Sequence, residues 1–234
     1  MKTKRTRLNP ATRHLLTGVY DRLDYGALGL VYCYEGGDAF WRTKRRLCHR
    51  LGSRVAVVLR RKLEQGGRSL YVGAGVAELS ALMMETVELG RTVQPHNLRR
   101  GEVAALNRAC DSTPLTFHAT DAASATGRFD HLWMVSVLND PERFPHLSPL
   151  SYGRSNPLTF DPLKFDAERR IVRALVARCM EKLAKPGLVT TTTEEVIWIA
   201  EWCHRHRVPY LVGKRYYETA LVGDPICFIQ IGPS

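Results

Sequence analysis

Two glycines and a few polar residues carry the chemistry that this sequence can do. Leu70-Tyr71-Val72-Gly73-Ala74-Gly75-Val76-Ala77-Glu78-Leu79 reads as an apolar strand, a tight turn and the start of a helix. Gly73 permits the turn, and Gly75 lets a ligand approach bare backbone. Ala77 stands in the place of a third glycine, where only a small residue lets strand and helix pack closely. The helix that follows directs its first amides at the ligand. Three further strand ends carry polar groups: Gln94-Pro95-His96-Asn97, His118-Ala119-Thr120-Asp121-Ala122 and Ser136-Val137-Leu138-Asn139-Asp140. In an open α/β sheet, ligands sit beyond the carboxyl ends of the strands, so these residues are the candidate binding groups. Asp140, Glu142 and His146 lie in the connection that follows and are candidate catalytic bases. Glu194 and Glu195 compete for the same role, and every one of these groups also suits a helix cap or a solvated position.

The elements that must position these residues alternate. Strands are expected at Ser69–Val72, Thr92–Leu98, Leu115–Ala119, Phe129–Val137 and Leu188–Thr193, with a sixth beginning at Tyr210–Val212 and a last at Ile226–Ile231. Helices are expected at Ala77–Leu89, Arg100–Cys110 and Glu194–Arg207. A further helix is capped by Asp166 and stopped by Lys185-Pro186-Gly187. A long connection, Leu138–Phe165, is rich in Pro, Ser and Asn. The alternation predicts an α/β fold: a doubly wound, mainly parallel seven-stranded sheet covered by helices on both faces. Residues 1–68 form a separate helical segment. Asn9 caps a helix with Pro10 at its first position, and Asp38 caps a longer one that Gly52 can break in two. Phe40, Trp41, Leu47, Leu51, Val55, Val58, Leu59 and Leu63 recur on that helix at helical spacing.

Charge is distributed unevenly. The chain has 34 Lys and Arg against 23 Asp and Glu, a net charge of +11. Residues 1–68 hold 16 basic and 5 acidic residues, and residues 69–234 hold 18 of each, so the whole excess sits in the N-terminal segment. Such a segment suits an anionic partner, nucleic acid among them, or a solvated face. The composition, 44% hydrophobic and 24% charged, excludes collagenous, coiled-coil and wholly disordered chains. No apolar run approaches the roughly 20 residues that span a bilayer. The basic start, MKTKRTRLNP, lacks the apolar core of a signal peptide, so a cytoplasmic protein is expected, with no membrane partner. The six cysteines are scattered and read as small core residues. Cys203-His204-Arg205-His206 is the lone Cys/His cluster, and its spacing does not aim its members at one metal, so no metal is expected.

From about residue 69 onward the chain resembles the class I (Rossmann-like) S-adenosylmethionine-dependent methyltransferases. The resemblance rests on VGAGVAEL, the acid in HATDAA, FDHLWMVSVLND, the helix ending in KLAKPG before LVTTTT, and the terminal pair PYLVGKRYYETALVGDPICFIQIG. It implies an antiparallel last strand and the cofactor S-adenosylmethionine for residues 69–234, to which the helices of residues 1–68 add an N-terminal helical cap. It also implies that Gly73, Gly75 and Ala77 line the methionine and ribose part and that His96 or Asn97 meets the ribose. Asp121 then accepts from the adenine amine with Ala122 beside the ring, and Ser136 and Val137 lie near the sulfonium. Two positions depart from the family pattern. Tyr71 stands where an acid usually precedes the first glycine, and His96 and Asn97 stand where an acid usually holds the ribose.

Methyl transfer requires alignment of a nucleophile with an already activated methyl, and a base only where the nucleophile must lose a proton. The resemblance therefore implies a methyltransferase, with a small-molecule acceptor expected and residues 1–68 as its lid. The alternatives are an RNA or DNA methyltransferase that uses those helices as a basic clamp, a non-catalytic nucleic-acid-binding protein on a degenerate methyltransferase fold, and an aminocarboxypropyl transferase. The tyrosines Tyr20, Tyr25, Tyr32 and Tyr34 belong either to a lid or to helix packing, with packing favoured for at least two.

Overall fold

The structure is a computed structural model, and it describes residues 6–32, 37–151, 160–221 and 224–232. Packing divides the chain into two compact units, Met1–Ala125 with Tyr217–Gly223, and Thr126–Tyr216 with Asp224–Ser234.

The first unit opens with three helices, α1 (Pro10–Arg22), α2 (Tyr25–Tyr32) and α3 (Gly37–Leu59). Asn9 caps α1, its side-chain oxygen accepting from the Thr12 amide at 2.7 Å, with Pro10 at the first helical position as the sequence predicts. Thr12, Leu16, Val19 and Tyr20 form the buried stripe of α1. α3 runs unbroken for 23 residues. Gly52 does not divide it but lets it come close to its neighbour. A Cβ at that position would stand 3.1 Å from the Ser80 hydroxyl and 3.2 Å from the Ala77 carbonyl. After α3 come β1 (Arg68–Val72), a 3₁₀ turn at Val76–Glu78, α4 (Leu79–Glu88), β2 (Thr92–His96), α5 (Arg100–Cys110) and a second 3₁₀ turn at Ala122–Ser124. β1 and β2 pair in parallel.

Beneath β1 lies a buried ionic cluster. Arg91 donates from Nε to Glu85 at 3.0 Å with both side chains fully buried, its Nη1 donates to the Glu64 and Gly66 carbonyls, and its Nη2 donates to the Ser69 hydroxyl. The Tyr71 hydroxyl donates to Glu85 at 2.5 Å, and the Ser69 hydroxyl donates to the same carboxylate. Tyr71, which replaces the acid of the family pattern, therefore turns into the core. Burial, with the Glu85 charge behind it, pushes its phenol well above the usual range.

The second unit holds β3 (Phe129–Met134), α6 (Ser148–Ser151), α7 (Pro162–Met180), β4 (Leu183–Thr192), α8 (Val196–His206), β5 (Tyr210–Val212) and β6 (Ile226–Ile231). β3 and β4 are parallel, and β6 runs antiparallel to both β4 and β5, giving the reversed last strand that the resemblance implies. The strand order is β2-β1-β3-β4-β6-β5 in one six-stranded sheet.

Three expectations are corrected here. The sheet has six strands and not seven among the described residues, because the segment expected at Leu115–Ala119 makes a single bridge, His96 to His118. That bridge is closed by His118 N–H to the Pro95 carbonyl at 2.9 Å and Asn97 N–H to the His118 carbonyl at 3.0 Å. The next rung of a parallel ladder would come from the N–H of residue 95, and proline has none. α7 starts at Asp161-Pro162 and not at Asp166, since Asp161 accepts from the Leu163 and Lys164 amides while Pro162 takes the first turn. Lys185-Pro186-Gly187 does not stop a helix but lies within β4, where the register with β3 shifts between Phe129 and His131 and leaves Pro186 exposed.

Candidate functional site

In the first unit, the end of β1 turns at Gly73, exposed and at φ 71°, a left-handed value that glycine adopts without strain. The Ala74 amide donates to the His96 carbonyl at 2.9 Å, so the turn is tied to the end of β2. The Gly75 amide is already used: Glu78, three residues on, accepts from it at 2.8 Å and is itself buried. Ala77 is half-buried on the 3₁₀ turn. The N-terminal helices press on this turn, for the Tyr20 hydroxyl donates to the Val76 carbonyl at 3.2 Å. Burial raises the Tyr20 phenol well above its ordinary value, so it stays a donor. Tyr25 donates to the Tyr20 carbonyl at 2.6 Å, and both tyrosines serve packing. Tyr34 and the side chain of Tyr32 lie outside the described residues.

The two candidates at the end of β2 differ in what they have left to offer. Asn97 is committed. Its Nδ2 donates to the Ala74 carbonyl at 2.9 Å and to Glu102 at 3.0 Å, and its Oδ1 accepts from the Arg99 amide at 2.8 Å. It braces the glycine turn against the start of α5. His96 shares a 3.0 Å hydrogen bond through Nδ1 with the Thr120 hydroxyl, and its ring lies 5.0 Å from that of His118. Its Nε2 is buried and has no hydrogen-bond partner among the described residues. Burial, then the neighbouring His118, lowers its pKa and keeps the ring neutral near pH 7. Asp121 caps the second 3₁₀ turn, accepting from the Ala123 amide at 2.9 Å, and Ala122 beside it is buried.

In the second unit, Ser136, two residues beyond β3, stands at φ 58°, uncommon for a residue with a side chain. Glu195 holds it there. The Glu195 carboxylate accepts from the amides of Ser136 (2.9 Å), Val137 (2.7 Å) and Leu138 (2.6 Å), and from the hydroxyls of Thr191 (3.2 Å) and Thr192 (3.0 Å). The Ser136 hydroxyl is buried with no partner among the described residues. Burial raises the Glu195 carboxyl against the lowering effect of these amides. With its oxygens so occupied, Glu195 is a bracket for the strand end and not a base. The Thr192-x-x-Glu195 spacing, that of a capping box, signals the contact with Thr192 but not those with the amides of residues 136–138.

The three candidate bases follow on the same connection. Asp140 accepts from the Glu142 amide at 2.9 Å, Glu142 is exposed, and the His146 amide donates to Glu168 at 3.0 Å. Asn139 is buried and accepts from the Trp198 indole at 3.0 Å. Among the described residues no cluster of three metal-ligating side chains occurs, and no helix is long and apolar enough to cross a membrane. Cys48, Cys110, Cys179, Cys203 and Cys227 are free and buried, with the Cys48 thiol pushed up to about 12 by burial.

No protein-family model matches the chain, and no curated protein matches it. Solved structures do. The chain is similar to the magnesium protoporphyrin IX methyltransferase ChlM of Synechocystis PCC 6803, solved with bound SAM. The TM-score is 0.52 and the identity 14%, over 86% of this chain and 95% of that one. It is similar to a methyltransferase homolog protein of Pyrococcus horikoshii, with a TM-score of 0.51 and 9% identity, over 77% of this chain and 66% of that one. Trm5b of Pyrococcus abyssi aligns with a TM-score of 0.47 and 9% identity, over 77% of this chain and 49% of its own, so the match spans about half of that protein. The six-stranded order, the reversed last strand and the two matches above one half agree: the chain has the Rossmann-like fold of the class I S-adenosylmethionine-dependent methyltransferases.

Proposed function

We propose that the chain binds S-adenosylmethionine and catalyses transfer of its methyl group. The observation that carries this reading is His96, at the end of β2, with a neutral ring, a buried Nε2 and no partner for that nitrogen among the described residues. A ribose hydroxyl satisfies such a nitrogen, which would otherwise leave a polar group buried at a cost of about 1–3 kcal/mol. Asn97 supports the turn and leaves the ribose to His96. Gly73 and Ala77 border the methionine part behind the Glu78-capped Gly75, and Asp121 and Ala122 take the adenine. The Ser136 hydroxyl and Val137, fixed by Glu195, stand at the sulfonium end in this reading.

S-adenosylmethionine supplies an activated methyl on a sulfonium. The residues of this chain orient, exclude water and, where the acceptor must lose a proton, take it at Asp140, Glu142 or His146. The small-molecule acceptor expected from sequence and its nucleic-acid alternative ask different things of residues 1–68, a lid in one case and a clamp in the other. The arginines of α3 favour the clamp.

Isothermal titration with S-adenosylmethionine and S-adenosylhomocysteine tests the reading. Binding of both, weakened up to about tenfold in His96→Leu, is the expected result; no binding of either by the folded chain leaves the non-catalytic alternative. Mass analysis of the product separates a methyl gain from the larger gain of an aminocarboxypropyl group.

A further inference from the structure

α3 sorts its residues by face. Trp41, Cys48, Leu51, Val55, Ala56 and Leu59 are buried, and Arg42, Arg45, Arg46, Arg50 and Arg54 are exposed. Arg42, Arg46, Arg50 and Arg54 stand four apart, along one inclined ridge of the helix. At 1.5 Å per residue the row spans about 18 Å, with a guanidinium about every 6 Å. None of these five arginines has a carboxylate partner among the described residues, whereas Arg60, Arg91 and Arg108 of the same unit each pair with one. Like charges four apart on a helix repel, so the row is a standing source of strain that an anionic polymer relieves. Along one strand of a duplex a phosphate recurs about every 3.4 Å, so a cation every 6 Å or so addresses about every second phosphate.

At the N-terminal end of this row lies a cavity of about 380 Å³ lined by Tyr25, Trp41, Arg42 and Arg45. The Tyr25 and Trp41 rings are 5.8 Å apart and inclined at 48°, and the Arg45 guanidinium lies 5.8 Å from the centre of the Tyr25 ring. The Tyr25 hydroxyl is anchored on the Tyr20 carbonyl, which fixes the ring in place. The half-buried Tyr25 ring and two exposed guanidiniums suit a flat heterocycle joined to a phosphate, the heterocycle against the ring and the phosphate on a planar fork of donors. The sequence places Trp41 on the apolar stripe of α3. It is buried there and only backs this cavity, so the aromatic component that a nucleic-acid surface needs comes from the half-buried Tyr25.

We propose that the exposed face of α3 and the Tyr25–Trp41 cavity form a nucleic-acid interface. The arginine row follows the phosphodiester backbone, and the cavity takes one unstacked base. The proposal rests on the methyl-transfer reading only in naming a nucleic acid as the substrate class; the binding itself is measured without a methyl donor.

The test is fluorescence anisotropy of the full chain with a labelled single-stranded RNA of about 15 nucleotides, the DNA of the same sequence and the corresponding duplex, across a salt series. Four backbone contacts predict a log–log salt slope of about −3 for the single strand. Replacing Arg46, Arg50 and Arg54 by Ala should weaken binding at least tenfold and flatten the slope by about 2. Replacing the same three by Lys should keep most of the slope. Tyr25→Leu should weaken single-strand binding and leave the slope unchanged, because it removes stacking and no charge. Tighter binding to RNA or to DNA identifies which of the two phosphodiester polymers is the partner. The proposal is overturned if none of the three probes binds at about 50 mM salt, if the triple Ala variant keeps the wild-type slope, or if only anionic phosphatidylglycerol vesicles bind. Titration of the same preparations with S-adenosylmethionine should be unaffected by the arginine changes. Failure of the wild type in that titration alone removes the methyl-transfer reading and leaves the interface standing.

Discussion

Glu195 accepts a 2.9 Å hydrogen bond from the backbone amide of Ser136, so a left-handed residue just beyond β3 is held by a side chain at the start of α8. Sequence reasoning placed Glu195 among possible bases, and the fold uses it to shape a strand end. Glu195→Gln replaces one acceptor by a donor facing amides and hydroxyls, and should lower stability by about 1–3 kcal/mol in urea unfolding. Burial raises the folded-state pKa of this carboxyl above its unfolded value. Its contribution is therefore largest below the ordinary glutamate pKa and declines as pH rises through the raised value. The stability gap between wild type and Glu195→Gln should narrow over that interval and be constant above it.

Asn97→Ala should act through the scaffold. It removes the donors to Ala74 and Glu102 and the acceptor for Arg99, leaving the buried Glu102 without one of its partners. A loss of about 2–3 kcal/mol in stability is expected from these bonds. Calorimetric melting gives the size of this loss, and a change smaller than 0.5 kcal/mol or so would sink the bracing role.

His96→Leu should act on the ligand instead. Its cost is expected in S-adenosylmethionine affinity, about 0.5–1.5 kcal/mol for one neutral hydrogen bond, or up to about tenfold. Burial and His118 lower the His96 pKa, so the folded state binds its proton less readily than the unfolded chain. The stability this gives is present above the ordinary histidine pKa and is lost as pH falls through the depressed one. Affinity should likewise be flat from neutral pH upward and drop on acidification, a dependence absent from His96→Leu.

Arg91 and Glu85 pair at 3.0 Å with no exposure of either side chain. Arg91→Ala should cost about 3–5 kcal/mol, because it strands a buried carboxylate among the Ser69 and Tyr71 hydroxyls. The double variant with Glu85→Ala should cost less than the sum of the single changes. Additive costs in that cycle would show the pair to be uncoupled.

Much of the fold was legible because local signals agreed. Asn9-Pro10 marks the start of α1, α5 spans Arg100–Cys110 as its pattern predicts, and Ile226–Ile231 is the last strand. Where local signals competed, the reading went astray. Asp161-Pro162 and Asp166 are both plausible helix starts, and the former won because its proline takes the first turn. The Leu115–Ala119 strand failed on a proline in its neighbour, a non-local cause that the apolar pattern does not carry. At the candidate site, the residue types were legible but their directions were not. Nothing in the spelling of His96-Asn97 tells which side chain is spent on the backbone and which is left for a ligand.

Pro95 has a second consequence. Among the described residues the outermost strands are β2, which carries only the single His118 bridge on its outer side, and β5, which is three residues long. A strand margin that offers a run of free amides invites a second chain to extend the sheet, the route by which concentrated proteins form fibres. Here one margin is interrupted by an imide nitrogen and the other is too short to template a ladder. The strand-to-strand route to self-association is blocked at both ends, so concentrated stocks should stay free of cross-β material, and precipitation at low ionic strength should trace to the α3 arginines instead.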